Sequence, residues 1–470
     1  MSIVRDLAFA SAVELARLYR TRKASPLEVV QALLDRIDAV NPKVNAFVTI
    51  PREAVLWEAR RATATLRRNA NLPPLFGVPV GIKDVTPTKG LRTTYGSKLF
   101  EDHVPDEDAL VVERLREAGA IVLGKTNTPE FAFGPNTTNA VFGATRNPWN
   151  LALTSGGSSG GSAAALATGM CPLAEGSDLG GSLRGPAAHC GVVGFRTSPG
   201  LIPRHPSVLA WDTYSVEGPM ARTVADTALM LSVMAGPDDR APLSYDVDVR
   251  ELLRAGRNAS VKGWRIAWSA DLGGLVEVDD EVRGLFERAV GVFRDAGARM
   301  DADCPDLGDV PEIVRLTRGL LMVARHADKL PQHRAVLQAG LVENTDAGLA
   351  LTAREIAEGE LRRTRQWQRV REFLAERDVW ITPTAATPPF PVEQMQNKRS
   401  YLTYAFSVLG LPAISIPCGF TRAGLPVGLQ IVGRRRGEAA VLRAAAAFEV
   451  AQPWAGHVPP VVSAASSRTG

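Results

Sequence analysis

The sequence predicts an α/β fold in which helices cover a central β-sheet. From residue 78 onward, short apolar runs of strand length alternate with stretches of helical periodicity, which is typical of an α/β sheet. Two stretches, 147–174 and 400–421, carry no charge; glycine and proline interrupt the second, so it indicates buried strands rather than a membrane span. A chain of 470 residues buries about three quarters of its unfolded surface, enough for a large core.

The first seventy residues are predicted to form a helical segment, 1–70, packed on the rest of the fold. Ser25 precedes Pro26, and Glu28 stands at the third helical position, which is the pattern of a capping box. Apolar residues then recur at helical spacing, so we expect a helix from Pro26 to about Val40. A second amphipathic helix is expected over 52–68, before the proline pair that interrupts the chain.

The remaining elements follow from the same patterns. Apolar runs predict strands at 78–85, 120–124, 264–269, 379–382, 413–417 and 427–432. Helical periodicity predicts helices at 109–118 and 282–296 and a mainly helical block at about 305–378. The polar, small-residue end of the chain, 456–470, is expected to be a loose tail.

Charge and cysteine content exclude several classes of protein. The net charge of +4 is dispersed and not gathered into a basic tract, which argues against nucleic-acid binding. Four cysteines without CxxC spacing favour neither a zinc ribbon nor a disulfide framework. The amino terminus lacks the apolar core of a secretory signal, so the sequence predicts a cytoplasmic protein.

Residues 119–126 match the phosphate-loop pattern GxxxxGK[ST]. The four spacer residues, however, form the apolar strand itself, whereas a phosphate loop needs them in an exposed turn after a strand. We therefore interpret the match as accidental.

Two glycine-serine clusters, 155–162 and 176–186, are the most unusual stretches of the chain. The first leads directly into an uncharged helical pattern, so it belongs inside the fold and is not a flexible linker. Ser158 and Ser159 also satisfy GxSxG, the nucleophile elbow of α/β hydrolases, but the histidines downstream lie in no matching motif. Two serine loops joined by one buried segment would bring two hydroxyls together, and N–H groups near Gly180 and Gly181 could form an oxyanion hole.

A serine nucleophile needs a base, and two residues are candidates. His189 is the nearest histidine, but it lies among small residues that favour a packed side chain. Lys83 ends an apolar run that would carry it into the interior, where loss of water lowers the pKa of a lysine and frees the neutral amine.

These segments resemble the amidase signature family. The resemblance extends over most of residues 25–450 and includes PLFGVPVGIKDV from Pro74, SGGSSGGSAAA from Ser155, GSDLGGSLRGPA from Gly176 and LGLPAISIPCGFTRAGLPVGLQIVG from Leu409. It implies an α/β/α sandwich with a central mixed β-sheet, an amidase signature domain over 71–455, and hydrolysis of a carboxamide C–N bond through a serine acyl-enzyme. Amide, aryl amide, ester and carbamate substrates are all within reach of that chemistry.

The resemblance also implies a role for each matching residue. The Ser-cisSer-Lys triad of the family falls on Ser182 as nucleophile, Ser158 as proton relay and Lys83 as base, with a cis peptide bond between Gly157 and Ser158. The backbone N–H groups of the nucleophile loop would hold the oxyanion; these are the N–H groups of Leu179, Gly180, Gly181 and Ser182.

Neighbouring residues are expected to support this unit. Asp178 and Arg184 match positions that brace the nucleophile loop, although plain salt bridges would look the same in the sequence. Ser155 and Ser159 are expected to hydrogen-bond the triad. No metal and no cofactor is required by this chemistry.

Specificity is expected from the segments in which the resemblance is weakest, 202–214 and 312–376. Trp211 and Tyr214 suggest a pocket for an apolar or aromatic group. The expected partner is a small-molecule substrate, with no nucleic acid and no membrane; a homodimer remains open. The alternative function is that of the A subunit of a glutamine-dependent tRNA amidotransferase, but 202–220 lacks the segment typical of that protein and no glutamine precedes Pro186.

Overall fold

The structure of the protein is a computed structural model, and it describes residues 7–66, 71–394 and 400–466. Eleven strands within these ranges form the main sheet: β1 (Phe47–Thr49), β2 (Pro79–Lys83), β3 (Ile121–Thr126), β8 (Leu173–Asp178), β9 (Val193–Arg196), β10 (Val216–Ala221), β11 (Arg265–Trp268), β12 (Arg299–Ala302), β13 (Val379–Pro383), β14 (Ala413–Phe420) and β15 (Pro426–Val432). Two small hairpins pair β4 (Thr138–Asn139) with β5 (Gly143–Ala144) and β6 (Arg146–Asn147) with β7 (Asn150–Thr154). All six predicted strands are present, with bounds that differ by a few residues.

The main sheet is mixed and runs through the molecule. Its strand order is β1-β3-β2-β8-β10-β9-β14-β15-β13-β11-β12. Neighbours are parallel around β2 and around β11 and antiparallel elsewhere. The predicted α/β/α fold with a central mixed sheet is therefore confirmed.

The helices are α1 (Ala12–Arg20), α2 (Pro26–Val44), α3 (Arg52–Leu66), α4 (Leu110–Glu117), α5 (Gly160–Ala167), α6 (Arg184–Cys190), α7 (Val224–Met234), α8 (Val249–Ala255), α9 (Asp280–Asp295), α10 (Val310–His326), α11 (Leu330–His333), α12 (Ala339–Leu349), α13 (Ala353–Ala375), α14 (Tyr401–Ser407), α15 (Glu438–Ala451) and α16 (Pro460–Ser466). Short 3₁₀ helices lie at Leu7–Phe9, Lys98–Phe100 and Glu130–Ala132. Helices α10 to α13 form the predicted helical block. None of the described helices combines the length and apolar character needed to cross a bilayer.

The predicted capping box begins α2. The Ser25 side chain accepts the Glu28 N–H, and the Glu28 carboxylate accepts the Ser25 N–H in return. The helix continues past the expected end at Val40 to Val44, because its buried apolar face continues through both of those residues. The predicted helix at 52–68 is observed as α3, and residues 67–70 lie outside the described range.

The first and last described segments, which include β1 and α16, both pack on the rest of the fold. The segment 1–70 contributes a strand as well as helices, since β1 pairs with β3 at one edge of the sheet. The expected loose tail contains α16, which packs on α2 and buries Val461 and Val462. The loose-tail expectation is therefore wrong for this helix, because its two valines supply an apolar contact that the polar composition of the segment concealed.

Strand order brings the two glycine-serine clusters to one place. Strands β2 and β8 are parallel neighbours, paired at Val80 with Leu173 and at Gly81 with Ala174. Lys83 and Asp178, the last residues of β2 and β8, consequently lie close together at the carboxyl-terminal ends of these two strands. Three of the four spacer residues of the phosphate-loop pattern, 121–123, lie in strand β3 rather than in a turn after a strand, which agrees with an accidental match.

Candidate active site

Lys83 is completely buried at the end of β2, a strand in which every residue is buried. Its Nζ donates to Ser158 Oγ at 2.7 Å, to Ser159 Oγ at 2.9 Å and to Ser177 Oγ at 3.0 Å. Burial lowers the pKa of Lys83 to about 7, although the carboxylates of Glu175 and Asp178 act in the opposite direction. A substantial fraction of the lysine is thus neutral near pH 7 and able to accept a proton.

The loop that presents Ser158 is held by close backbone packing. The Gly157–Ser158 peptide bond is cis, as expected. A Cβ atom on Gly157 would lie 2.7 Å from the carbonyl carbon of Pro135, so only glycine fits there. The Ser159 N–H donates to the Ser182 carbonyl oxygen at 3.1 Å and thereby joins the two glycine-serine clusters directly.

Asp178 organises the loop that carries Ser182. Its carboxylate accepts the N–H groups of Gly181 at 2.9 Å and Leu183 at 3.2 Å. Burial alone would raise the pKa of Asp178, but the guanidiniums of Arg184 and Arg196 hold that pKa well below its usual range. Arg184 reaches both carboxylate oxygens, with Nε at 3.0 Å from Oδ2 and Nη2 at 2.9 Å from Oδ1, so a buried bidentate ion pair fixes the loop.

The predicted oxyanion donors divide into two groups. The N–H of Gly181 is already taken by Asp178, so it differs from the other three. Among the described residues, the N–H groups of Leu179, Gly180 and Ser182 have no hydrogen-bond acceptor. Leu179, Gly180 and Ser182 line the same cavity as Ser158, which leaves their N–H groups available to a bound carbonyl oxygen.

The cavity has a volume of about 930 Å³, within the usual range for small-molecule sites. Ser182 is partly exposed in its wall, whereas Ser158 is buried. Helix α10 and the segment 202–217 supply much of the remaining wall, in agreement with the expectation that the weakly matching segments shape the pocket. His189 is a buried wall residue packed edge-on against Phe390, with its pKa lowered to about 4 by burial.

One predicted supporting residue, Ser155, and both predicted pocket residues, Trp211 and Tyr214, occupy other places. Ser155 donates to the Thr145 carbonyl oxygen at 3.2 Å and has no hydrogen bond to Lys83 or Ser158. Trp211 is 70% exposed and outside the cavity lining. Tyr214 is buried, but its hydroxyl donates to Glu360 and accepts from Arg363, away from the cavity. The expected pocket roles of the two aromatic residues are therefore wrong.

Sequence reasoning missed three residues. Ser177 is the third acceptor of the Lys83 ammonium, and Glu175 accepts the Lys83 backbone N–H at 3.0 Å. Arg196 is the second cation on Asp178, at 3.1 Å. Glu175 and Ser177 stand two residues apart on β8 and so share one face of the strand, which is the signal that could have identified them.

Comparison with known proteins identifies the family. A family model described as Amidase matches residues 28–442. The chain belongs to the amidase family. The expected class of enzyme, a hydrolase that acts on carbon–nitrogen bonds other than peptide bonds, is confirmed at this level.

Similar amidases include relatives of known sequence and known structure. An acylamidase of Rhodococcus erythropolis is 40% identical over 97% of this chain and 98% of its own. The A subunit of the glutamyl-tRNA(Gln) amidotransferase of Acidothermus cellulolyticus is 37% identical over 95% of each chain. Among solved structures, a bacterial aryl acylamidase of the amidase signature family has a TM-score of 0.87 at 29% identity, covering 95% of this chain and 98% of that one. A peptide amidase of Stenotrophomonas maltophilia has a TM-score of 0.80 at 28% identity, with 96% and 98% covered.

Proposed function

We propose that this chain is a stand-alone amidase that cleaves small carboxamides with Ser182 as nucleophile, Ser158 as proton relay and Lys83 as base. One observation carries the proposal: the buried Nζ of Lys83 lies 2.7 Å from Ser158 Oγ. The loop of Ser158 is in turn hydrogen-bonded to the loop of Ser182. A buried lysine with a lowered pKa supplies a neutral amine close to neutral pH.

The proposed reaction has two halves. Ser182 Oγ forms a bond to the carbonyl carbon while its proton passes to Ser158 and the Ser158 proton passes to Lys83. The carbonyl oxygen becomes an oxyanion and accepts the N–H groups of Leu179, Gly180 and Ser182. The C–N bond then breaks, and the amine leaves with the proton returned through Ser158. Water attacks the acyl-enzyme by the same relay and releases a carboxylic acid.

The cavity wall favours substrates with an aromatic or extended apolar group. Aromatic side chains line it on several sides, at Tyr95, Phe100, Phe131, Phe133, Phe390, Tyr401 and Tyr404. Such walls bury apolar surface and offer ring contacts. The acylamidase and aryl acylamidase relatives support aryl amides as the leading substrate class, with esters and carbamates open to the same acyl-enzyme route.

The alternative function, as the A subunit of a tRNA amidotransferase, rests on the amidotransferase relatives. It requires a partner, because in that reading hydrolysis of glutamine serves a second protein. A stand-alone amidase needs none. Activity of the purified chain on simple amides without glutamine therefore separates the two functions.

The test is hydrolysis of a panel of 4-nitroanilides, simple amides, esters and carbamates by the purified chain. We expect Ser182→Ala to lower kcat on amides by about 10³-fold or more. Ser232→Ala is the matched control, since the Ser232 hydroxyl donates to the Leu229 carbonyl oxygen within α7 and Ser232 is not part of the cavity wall formed by the described residues. Equal activity of the Ser182→Ala variant and the wild type would overturn the nucleophile assignment. Inactivity of all three proteins on the panel would favour the partner-dependent alternative.

Further expectations concern partners and location. We propose a small-molecule substrate, with no nucleic acid, for a chain whose net charge is only +4. A homodimer and a cytoplasmic location stay predictions. Size-exclusion chromatography with light scattering decides the first, and fractionation of the source cells decides the second.

A further inference from the structure

Arg318, on helix α10, lies in the cavity wall without a carboxylate partner among the described residues. Its Nε donates to Asn344 Oδ1 at 2.8 Å, and its Nη1 donates to the Tyr404 hydroxyl. The guanidinium carbon lies 4.6 Å from the centre of the Phe133 ring. These partners orient the side chain but do not neutralise it, and N–H groups of the guanidinium remain for another acceptor.

The other charged groups of the wall named below each form an ion pair. Arg204 and Arg325 both pair with Asp212, and Lys329 pairs with Asp328 at 3.0 Å. Asp178, beside the loop of Ser182, pairs with Arg184 and Arg196. Arg318 is thus the wall arginine that forms no ion pair with a described residue.

Glu217 does not supply a negative charge that would neutralise Arg318. Its nearest cation is Arg204, with Oε1 at 3.8 Å from Nε. Burial raises the pKa of Glu217 to about 8, so this carboxyl is mostly protonated at neutral pH. The cavity therefore carries net positive charge on the α10 side.

Arg318 lies close to the loop between β8 and α6, which carries the proposed nucleophile. A Cβ atom on Gly180 would collide with Cζ of Tyr404, so the tyrosine ring lies directly on the backbone of the proposed oxyanion loop. The hydroxyl of the same ring contacts Arg318. One tyrosine side chain therefore separates the guanidinium from the loop, and a group bound to Arg318 lies a few bonds from a carbonyl held there.

We propose that Arg318 binds a carboxylate of the substrate, and that the preferred substrates are amides carrying a carboxylate a few bonds from the scissile carbonyl. This inference rests on the proposed function and narrows its substrate class. A guanidinium presents planar, parallel N–H groups that match a carboxylate. The hydrogen bonds to Asn344 and Tyr404 hold the fork in place before the substrate arrives, which lowers the entropic cost of binding.

The first test compares two matched pairs of substrates. One pair is N-succinyl-4-nitroanilide and its neutral methyl ketone analogue N-(4-oxopentanoyl)-4-nitroanilide; the other is 4-acetamidobenzoate and the methyl ketone 4-acetamidoacetophenone. The measured quantity is the ratio of kcat/KM for the carboxylate to kcat/KM for the neutral amide, read from amine release. Because any general disturbance of the site lowers both members of a pair, the ratio isolates recognition of the charge.

Three variants decide the outcome. Arg318→Gln is expected to lower the ratio about tenfold or more for at least one pair. Arg318→Lys keeps the charge without the fork and should restore part of that loss. Arg315→Gln, one turn away on α10, removes an exposed arginine that pairs with Glu312 and Glu355, and should leave the ratio unchanged. A ratio that Arg318→Gln leaves unchanged in both pairs would overturn the inference.

A binding measurement keeps the two proposals distinguishable. Titration calorimetry with 4-phenylbutanoate and with the neutral 4-phenylbutan-1-ol needs no turnover, because neither compound has an acyl bond that the proposed reaction could cleave. We expect the carboxylate to bind the wild type more tightly than the alcohol does, and to lose about tenfold or more of its affinity in Arg318→Gln while the alcohol does not. Carboxylate affinity that is equal in both proteins refutes the role of Arg318 even if amides are hydrolysed. Tight carboxylate binding without any hydrolysis would refute the proposed function instead.

Discussion

The position of Lys83 sets a pH dependence for the reaction. Its burial lowers the pKa to about 7, and only the neutral amine can accept a proton. The neutral fraction grows as pH rises through that pKa, so kcat/KM should rise from about pH 6 to about pH 8 and then level off. The measurement is initial rates on a 4-nitroanilide across this range. A profile that falls with rising pH would contradict the role of Lys83 as base.

Glu175 adds a second prediction for the same group. Its negative charge raises the pKa of Lys83, so Glu175→Gln should lower that pKa and move the rising limb to lower pH. The amide can still accept the Lys83 N–H that the carboxylate accepts in the wild type. Glu113→Gln, on α4 and paired with the exposed Arg240, is the control. A limb that stays in place, or moves upward, would show that Glu175 carries no charge beside the lysine.

At the residue scale, site residues could be predicted from the sequence where the residues next to them in the chain are unusual. Site residues that reach Lys83 only through strand pairing could not. Lys83, Ser158 and Ser182 stand in unusual glycine-rich or apolar contexts, and the structure brings their loops together. Ser177 and Glu175 become neighbours of Lys83 only because β8 pairs in parallel with β2.

The same limit explains the two wrong aromatic assignments. A loop sequence does not specify which way an aromatic side chain points, so Trp211 could not be placed. Tyr214 is held away from the cavity by Glu360 and Arg363, which are far from it in sequence.

At the scale of elements, the loop between β8 and α6 requires a residue without a side chain at position 180. An added Cβ at Gly180 meets the Tyr404 ring of α14, so Gly180→Ala should displace either the ring or the loop. We expect a loss of about 1–3 kcal/mol in the free energy of unfolding and a lower kcat/KM. Chemical denaturation and anilide kinetics measure the two effects.

Two comparisons make the Gly180 prediction specific. Gly185→Ala in α6 meets nothing closer than 3.9 Å and should cost little. Tyr404→Ala combined with Gly180→Ala should be less destabilising than the sum of the two single changes, because the clash is then absent. Strict additivity would show that the loop does not rest on the tyrosine ring.

Helices and strands could be predicted from the sequence where capping residues and apolar spacing indicated the same element. The capping box and apolar spacing identified the start of α2, and the apolar runs identified the strands. Strand β1 was missed because Phe47–Thr49 is only three residues long and its pairing with β3 is the reason it is a strand. Helix α16 was missed because its support comes from the distant α2.

At the scale of the whole molecule, helix α16 packs on α2, which lies more than 400 residues earlier in the chain. Helix α16 buries Val461 against the amino-terminal part of the fold. Val461→Asp would place a carboxylate in this apolar contact and should lower the unfolding temperature, whereas Ser463→Asp at the neighbouring exposed position should not. Thermal unfolding followed by circular dichroism measures the difference. Equal unfolding temperatures would mean that α16 adds nothing to the stability of the fold.

The fold class could be predicted from the sequence, but the order of strands in the sheet could not. Alternation of apolar runs and helices predicts an α/β sheet. The pairing of β9 with β14, and of β1 with β3, joins segments that local patterns treat separately. Such register depends on packing of the whole chain rather than on any one stretch.

The three hydroxyl groups around Lys83 determine the direction in which a proton can move along the relay. A protonated amine donates to all three, but a neutral amine keeps two N–H groups and gains a lone pair, so one hydroxyl must reverse and become the donor. Ser159 Oγ already has the Ser177 carbonyl oxygen at 3.4 Å as another acceptor, whereas the described contacts of Ser158 Oγ provide none. Ser158 Oγ is also the closest of the three to Nζ, at 2.7 Å, so we expect its O–H to turn inward when the lysine loses a proton; its lone pairs then face the cavity, ready for the proton of Ser182.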